Sequence, residues 1–140
     1  MKKILFIVLC FFLISCSNLY KAGKAYERGD YVQNVELTFK YFDEKPENFK
    51  KLKEKKKIEI NNKFLNIFEH YEKLKNSEKL TDRNQANVEL FQIYIASDNS
   101  EYSREFQSQR DFLASNNIRD IFNLALKTNK ELFLQNTDIR

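Results

Sequence analysis

Tryptophan is absent from this 140-residue chain, and glycine (2), proline (1), cysteine (2) and histidine (1) are nearly so. Each shortage excludes a kind of chemistry. With Gly23 and Gly29 as its only glycines, the chain has no glycine-rich loop to cradle a phosphate. One histidine, His70, cannot assemble a zinc site, and no Cys or Ser stands at a spacing that would pair with it as a nucleophile. Both cysteines, Cys10 and Cys16, fall at the very start, so the rest of the chain holds no thiol for a disulfide, a metal or a reaction. No catalytic residue and no metal ligand is assigned. Paired carboxylates can meet across helices without a local signature, so an enzyme using scattered carboxylates stays open as an alternative. Few breakers among many Lys, Glu, Leu and Phe predict an all-α protein.

Long apolar runs are also missing, except at the start. Lys2 and Lys3 precede Ile4 to Phe12, an uncharged apolar stretch that ends at Leu13-Ile14-Ser15-Cys16. A positive start, an apolar middle and a small residue at the end form an export signal. The middle is shorter than the roughly 20 residues that span a bilayer, and polar Ser17 and Asn18 follow at once. Leu13-Ile14-Ser15-Cys16 resembles the lipobox of bacterial lipoproteins. The resemblance implies cleavage between Ser15 and Cys16, with Cys16 carrying diacylglycerol and a fatty acid as the new N-terminus; no other cofactor is expected. Two or more acyl chains anchor stably where one is marginal. Ser17 rather than Asp after the cysteine favours, by the same resemblance, the outer over the inner membrane.

Loss of Lys2 and Lys3 with residues 1–15 reduces the 24 basic residues to 22, against 20 acidic. A nearly neutral body gives no argument for nucleic acid. The expected domains are the signal (1–15), a lipidated tether (16–18), one helical domain (19–134) and a frayed tail (135–140).

Within that domain five or six helices are predicted. The first covers 17 to about 28, with Leu19, Ala22, Ala25 and Tyr26 along one side. Arg28-Gly29-Asp30 ends it, with Gly29 in the left-handed turn and Asp30 capping the next helix. That helix, 31–44, places Tyr31, Val35, Phe39 and Phe42 on one face. A third runs unbroken from Pro46 to about Asn76, with Ile60, Phe64, Ile67, Tyr71 and Leu74 in a heptad seam. Asp82 with Gln85, and Asp98 with Glu101, look like capping boxes opening two further helices. The first of these is apolar nearly all round and should be the most buried; the second carries Tyr102, Phe106, Gln109 and Leu113 on one face. A last helix from Ile118 to about Leu134 should turn Ile121, Phe122, Ala125 and Leu132 inward.

Gly23 followed by Tyr26, and Val35 followed by Phe39, resemble the tetratricopeptide family's Gly-x-x-Tyr and Ala-x-x-x-Phe over residues 19–46, in a single copy. An unrelated helical hairpin is the competing reading of the same residues. The resemblance implies a stacked-helix scaffold that binds a protein in a groove, here beside Tyr26, Tyr31 and Phe39. Lys50, Lys51, Lys53, Lys55, Lys56 and Lys57 form a basic tract spread around its helix, read as a solvated segment or as a contact for an anionic surface. His70 is read as structural. The expected partners are the membrane, through the lipid, and another envelope protein, with no nucleic acid and no small-molecule substrate. The chain reads as a membrane-anchored, non-catalytic binding or assembly scaffold of the bacterial envelope. Adhesion or toxin immunity at the cell surface is the alternative to that role.

Overall fold

The computed structural model describes Lys3 and residues 17–138; the lipobox and the proposed cleavage point lie outside the described residues. Ser17 opens the first helix, α1 (Asn18–Glu27), by accepting a hydrogen bond from the Tyr20 amide at 3.1 Å. Gly29 then turns the chain with φ of 77°, a conformation that costs glycine little, and Asp30 accepts from the Gln33 amide to cap α2 (Tyr31–Glu44). Asn18 bonds Glu44 at one end of the pair and Arg28 bonds Gln33 at the other, so α1 and α2 form an antiparallel hairpin. Ala22 and Ala25 are the buried residues of α1. The Asn34 side chain donates to the Ala22 carbonyl at 2.9 Å and fastens the two helices internally.

The regular structure among the described residues is all helical, with seven α-helices and one 3₁₀ turn and no strand. The remaining elements are α3 (Pro46–Lys50), α4 (Glu54–Lys75), α5 (Leu80–Asp98), the 3₁₀ turn Ser103–Glu105, α6 (Gln107–Ser115) and α7 (Ile118–Thr137). The bundle is organised on α5, which packs against α2, α4, α6 and α7. Its core joins Val35, Phe39 and Phe42 of α2 to Ile60, Phe64, Ile67 and Tyr71 of the α4 seam, and to Ala86, Leu90 and Ile93 of α5. The heptad seam is buried as its spacing predicts, with Leu74 at its half-buried end.

Four boundaries differ from the sequence expectation. The long third helix is broken at Lys51-Leu52-Lys53, and the break lets Phe49 fold back onto Phe42, Tyr102 and Phe106 with ring centroids 5.1–6.1 Å apart. An uninterrupted helix would carry Phe49 past that cluster. Asp82 and Gln85 form no capping box, because α5 already begins at Leu80. Asp82 instead accepts from the Ser77 hydroxyl at 2.7 Å, and Arg83 donates to the Ser77 and Glu78 carbonyls. Asp98 is the last residue of α5 rather than a cap, and the next α-helix waits until Gln107. At the far end α7 continues to Thr137, past the expected limit at Leu134.

Two facing differences accompany them. α5, expected to be apolar nearly all round and the most buried, buries Ala86, Asn87, Leu90, Ile93 and Ser97 and leaves Ile95 exposed. Phe122, expected to face inward, is 43 % exposed. α7 is covered chiefly by α5, which shields only the stripe of Ile121, Ala125 and Thr128.

Phe106 and Gln109 are both buried at α6, one among rings and the other without polar partners. Phe106 is buried among the rings of Phe39, Phe42, Phe49 and Phe64, with centroids 5.4–6.3 Å away. Gln109 is fully buried with neither amide atom hydrogen-bonded to the protein. An unpaired buried polar group costs about 1–3 kcal/mol. Gln109→Met should therefore raise unfolding stability by about 1 kcal/mol in urea titrations, whereas Phe106→Ala should lower it by about 3–5 kcal/mol.

Candidate functional site

The proposed groove residues separate in the fold. Tyr26 and Tyr31 come together across the α1–α2 turn with ring centroids 5.5 Å apart, both half-buried. Their surroundings are drawn from α4. His70 stands edge-on to Tyr31 at 5.0 Å, Asn66 donates to the Tyr26 hydroxyl at 3.2 Å, and the Lys63 ammonium lies 5.4 Å from the Tyr26 ring centroid. Phe39 is elsewhere. It is buried in the core against Phe64 and Phe106, so it lines no surface groove, and its spacing with Val35 serves packing between helices. The result is a two-tyrosine ledge, with His70 in a structural setting beside it.

The lysine tract is divided by the break between α3 and α4. Lys56 pairs with Glu59 at 3.0 Å and Lys57 with Glu54 at 3.3 Å, and the Lys57 ammonium sits 4.4 Å from the Phe49 ring centroid. Lys50, Lys51, Lys53 and Lys55 point to solvent. The six do not form one surface, and the pairs with Glu54 and Glu59 weaken their combined field.

A basic cleft that the sequence reading passed over lies on the other side of the hairpin. Lys21 and Lys24 of α1 and Arg28, the residue that caps its end, face Gln33, Leu37 and Lys40 of α2 across an opening of about 400 Å³. The signal is present as basic residues at positions i, i+3 and i+7, two in α1 and the third at its C-cap, a spacing that puts them in one row. A much smaller cavity, about 40 Å³, lies between α1, α2 and α4 beside Asn34, Thr38, Lys56 and Lys63. The Asn34 side-chain oxygen is buried and unpartnered there. Such a space suits a water and is too small for an organic substrate.

Known protein families, curated proteins and solved structures offer no match to the chain. Among the described residues no group of three or more His, Cys, Asp or Glu is arranged to hold a metal ion, and no helix is long and apolar enough to cross a membrane.

An apolar exposed surface lies on α7. Ile118, Phe122, Leu126 and Phe133 recur at spacings of four, four and seven, which places them in one stripe beside the buried one. Phe133 is 66 % exposed and Leu126 53 %. Phe91 of α5 adjoins the stripe, its ring 5.4 Å from that of Phe122. Single exposed apolar residues are ordinary, but an aligned set ending a bundle is a surface that a partner can cover.

Burial pushes the Tyr71 phenol well above its ordinary range, and the Glu89 carboxylate nearby adds to the shift. Below about pH 10 the folded and unfolded chains both keep this proton. Above it the unfolded chain ionises while the folded one does not, so stability falls as pH rises. Tyr71→Phe should lose less stability than the parent chain between pH 10 and 11.5, by about 1 kcal/mol or more, in urea titrations across that range.

Proposed function

We propose that the chain is a lipid-anchored protein of the bacterial envelope that acts as a non-catalytic binding or assembly scaffold. The anchor rests on the order of Lys2 and Lys3, the apolar run, and Leu13-Ile14-Ser15-Cys16. Binding rests on one observation, the exposed stripe of Ile118, Phe122, Leu126 and Phe133 along a helix packed chiefly against α5. A helical partner could lay its own apolar face against this stripe, the arrangement used when amphipathic helices dock to one another. The two-tyrosine ledge at Tyr26 and Tyr31 offers a second place for contact, since tyrosine supplies large contact area at little entropic cost.

Two experiments test the halves of this proposal separately. Labelling cells with a radioactive fatty acid should mark the parent chain and leave Cys16→Ser unmarked and released from the membrane fraction. An unmarked parent chain would end the anchor. For binding, the lipid-modified chain is crosslinked in membranes, and Phe122→Glu with Leu126→Glu is compared with the parent. The double variant should keep its helical circular dichroism while its specific crosslinks fall about thirtyfold, from roughly 2 kcal/mol for a buried anchor residue. Undiminished crosslinks would remove α7 as the binding face.

A further inference from the structure

The cleft between α1 and α2 carries an inference that rests on the lipoprotein reading and extends it. Its lining includes Lys21, Lys24, Arg28 and Lys40 and no carboxylate. Lys24 is paired with Glu27 at 3.3 Å, but among the described residues Lys21, Arg28 and Lys40 make no ion pair. Glu44 stands at the mouth, held by Asn18. Arg28 donates to Gln33 at 3.0 Å, which fixes its guanidinium across the cleft while leaving its charge uncompensated. Tyr20 lines the same opening and is 44 % exposed, with the Lys24 ammonium 5.6 Å from its ring centroid. Cations interleaved with an exposed tyrosine are the side chains that settle at a membrane's head-group level.

Position decides what covers this cleft. α1 begins at Asn18, and Cys16 is separated from it by Ser17 alone. At 1.5 Å per helical residue, Lys21, Lys24 and Arg28 follow Ser17 by about 6, 10 and 16 Å along the axis. A lipid on Cys16 therefore holds the whole row within about 20 Å of the bilayer surface, and laying the hairpin down brings all of it into contact. The predicted tract at Lys50 to Lys57 has neither advantage, being partly neutralised and distant in sequence from the anchor.

We infer that the α1–α2 cleft is a docking surface for anionic phospholipid head groups, which seats the hairpin flat on the leaflet that holds the anchor. The phosphodiester is taken by Lys21, Arg28 and Lys40, with Tyr20 at the same depth. The anchor supplies attachment and the cleft supplies orientation, so α1 and α2 are the membrane-facing elements.

The test uses the lipid-modified chain in vesicles of phosphatidylcholine alone or mixed with phosphatidylglycerol, with lysine acylation rates read by mass spectrometry. Lys21, Lys24 and Lys40 should react about fivefold more slowly on the mixed vesicles, the effect of one cation held at an anionic surface. Lys127 and Lys130 should be unchanged, and about 0.5 M salt should abolish the protection. In Lys21→Glu with Lys40→Glu, both exposed positions, Lys24 should lose its protection while the protein stays on the vesicles. Equal rates on the two vesicle types would overturn the inference, as would stronger protection of Lys50 to Lys55 than of the cleft. Equal protection by inorganic phosphate on neutral vesicles would also overturn it, by assigning the cleft to a free anion. Intact mass of the same sample reports the lipid on Cys16, so failure of the anchor is seen separately from failure of the cleft.

Discussion

The burial of Phe106 is the constraint on which the rest of the molecule depends. Its ring meets Phe39 and Phe42 of α2, Phe49 of α3 and Phe64 of α4, so one side chain closes the contact among three helices and the segment leading to α6. Placing it there has two structural costs. The chain must break at Lys51-Leu52-Lys53 to bring Phe49 to the cluster, and Phe106 occupies the N-cap position of α6, where its side chain can cap nothing. The cap is supplied from another helix. Asn61 of α4 accepts from the Ser108 amide at 3.0 Å and from its hydroxyl at 2.8 Å. Ser100 adds a further tie by donating to Asp43 of α2 at 3.0 Å. Aromatic packing and a borrowed cap thus fix the irregular passage between α5 and α6.

Around that centre the two ends of the chain are used differently. The N-terminal hairpin is joined by close alanine packing and the Asn34 bond, and it presents its long polar residues outward, with the cations gathered in one cleft. The C-terminal helix is held by a narrow stripe of small and medium side chains together with a buried Asn87 to Thr128 contact at 3.4 Å. A stripe that narrow leaves the larger apolar residues of α7 uncovered. The proposed scaffold uses both facts, one end oriented to a charged surface and the other offered to a protein.

Where the information is local, the sequence was a good guide. Gly29 at positive φ, Asp30 as a cap and the alternating apolar spacing of Ile60, Phe64, Ile67 and Tyr71 act within one or two turns of backbone, and each is realised as read. The all-helical class is of the same kind, since few breakers and repeated 3.6-residue periodicity leave no other regular structure. Asp82 and Asp98 match a local capping pattern but open no helix, since α5 begins at Leu80 and ends at Asp98. Phe39 was misread as a groove residue. Its spacing already puts it on the apolar face with Val35 and Phe42, and the groove implied by the tetratricopeptide resemblance is filled once α4 and Phe106 lie over that face.

By itself, then, the sequence determined the helical class, the turn at Gly29, the seam of α4 and the row of cations along α1 and its cap, because each depends on residues a few positions apart. Only the tertiary structure decided which side of α5 is inside, which face of α7 is left bare, that the lysine tract is divided, and that Lys40 completes the cleft. Those outcomes depend on which helix lies beside which, and a neighbour tens of residues away removes water from one face and not from another.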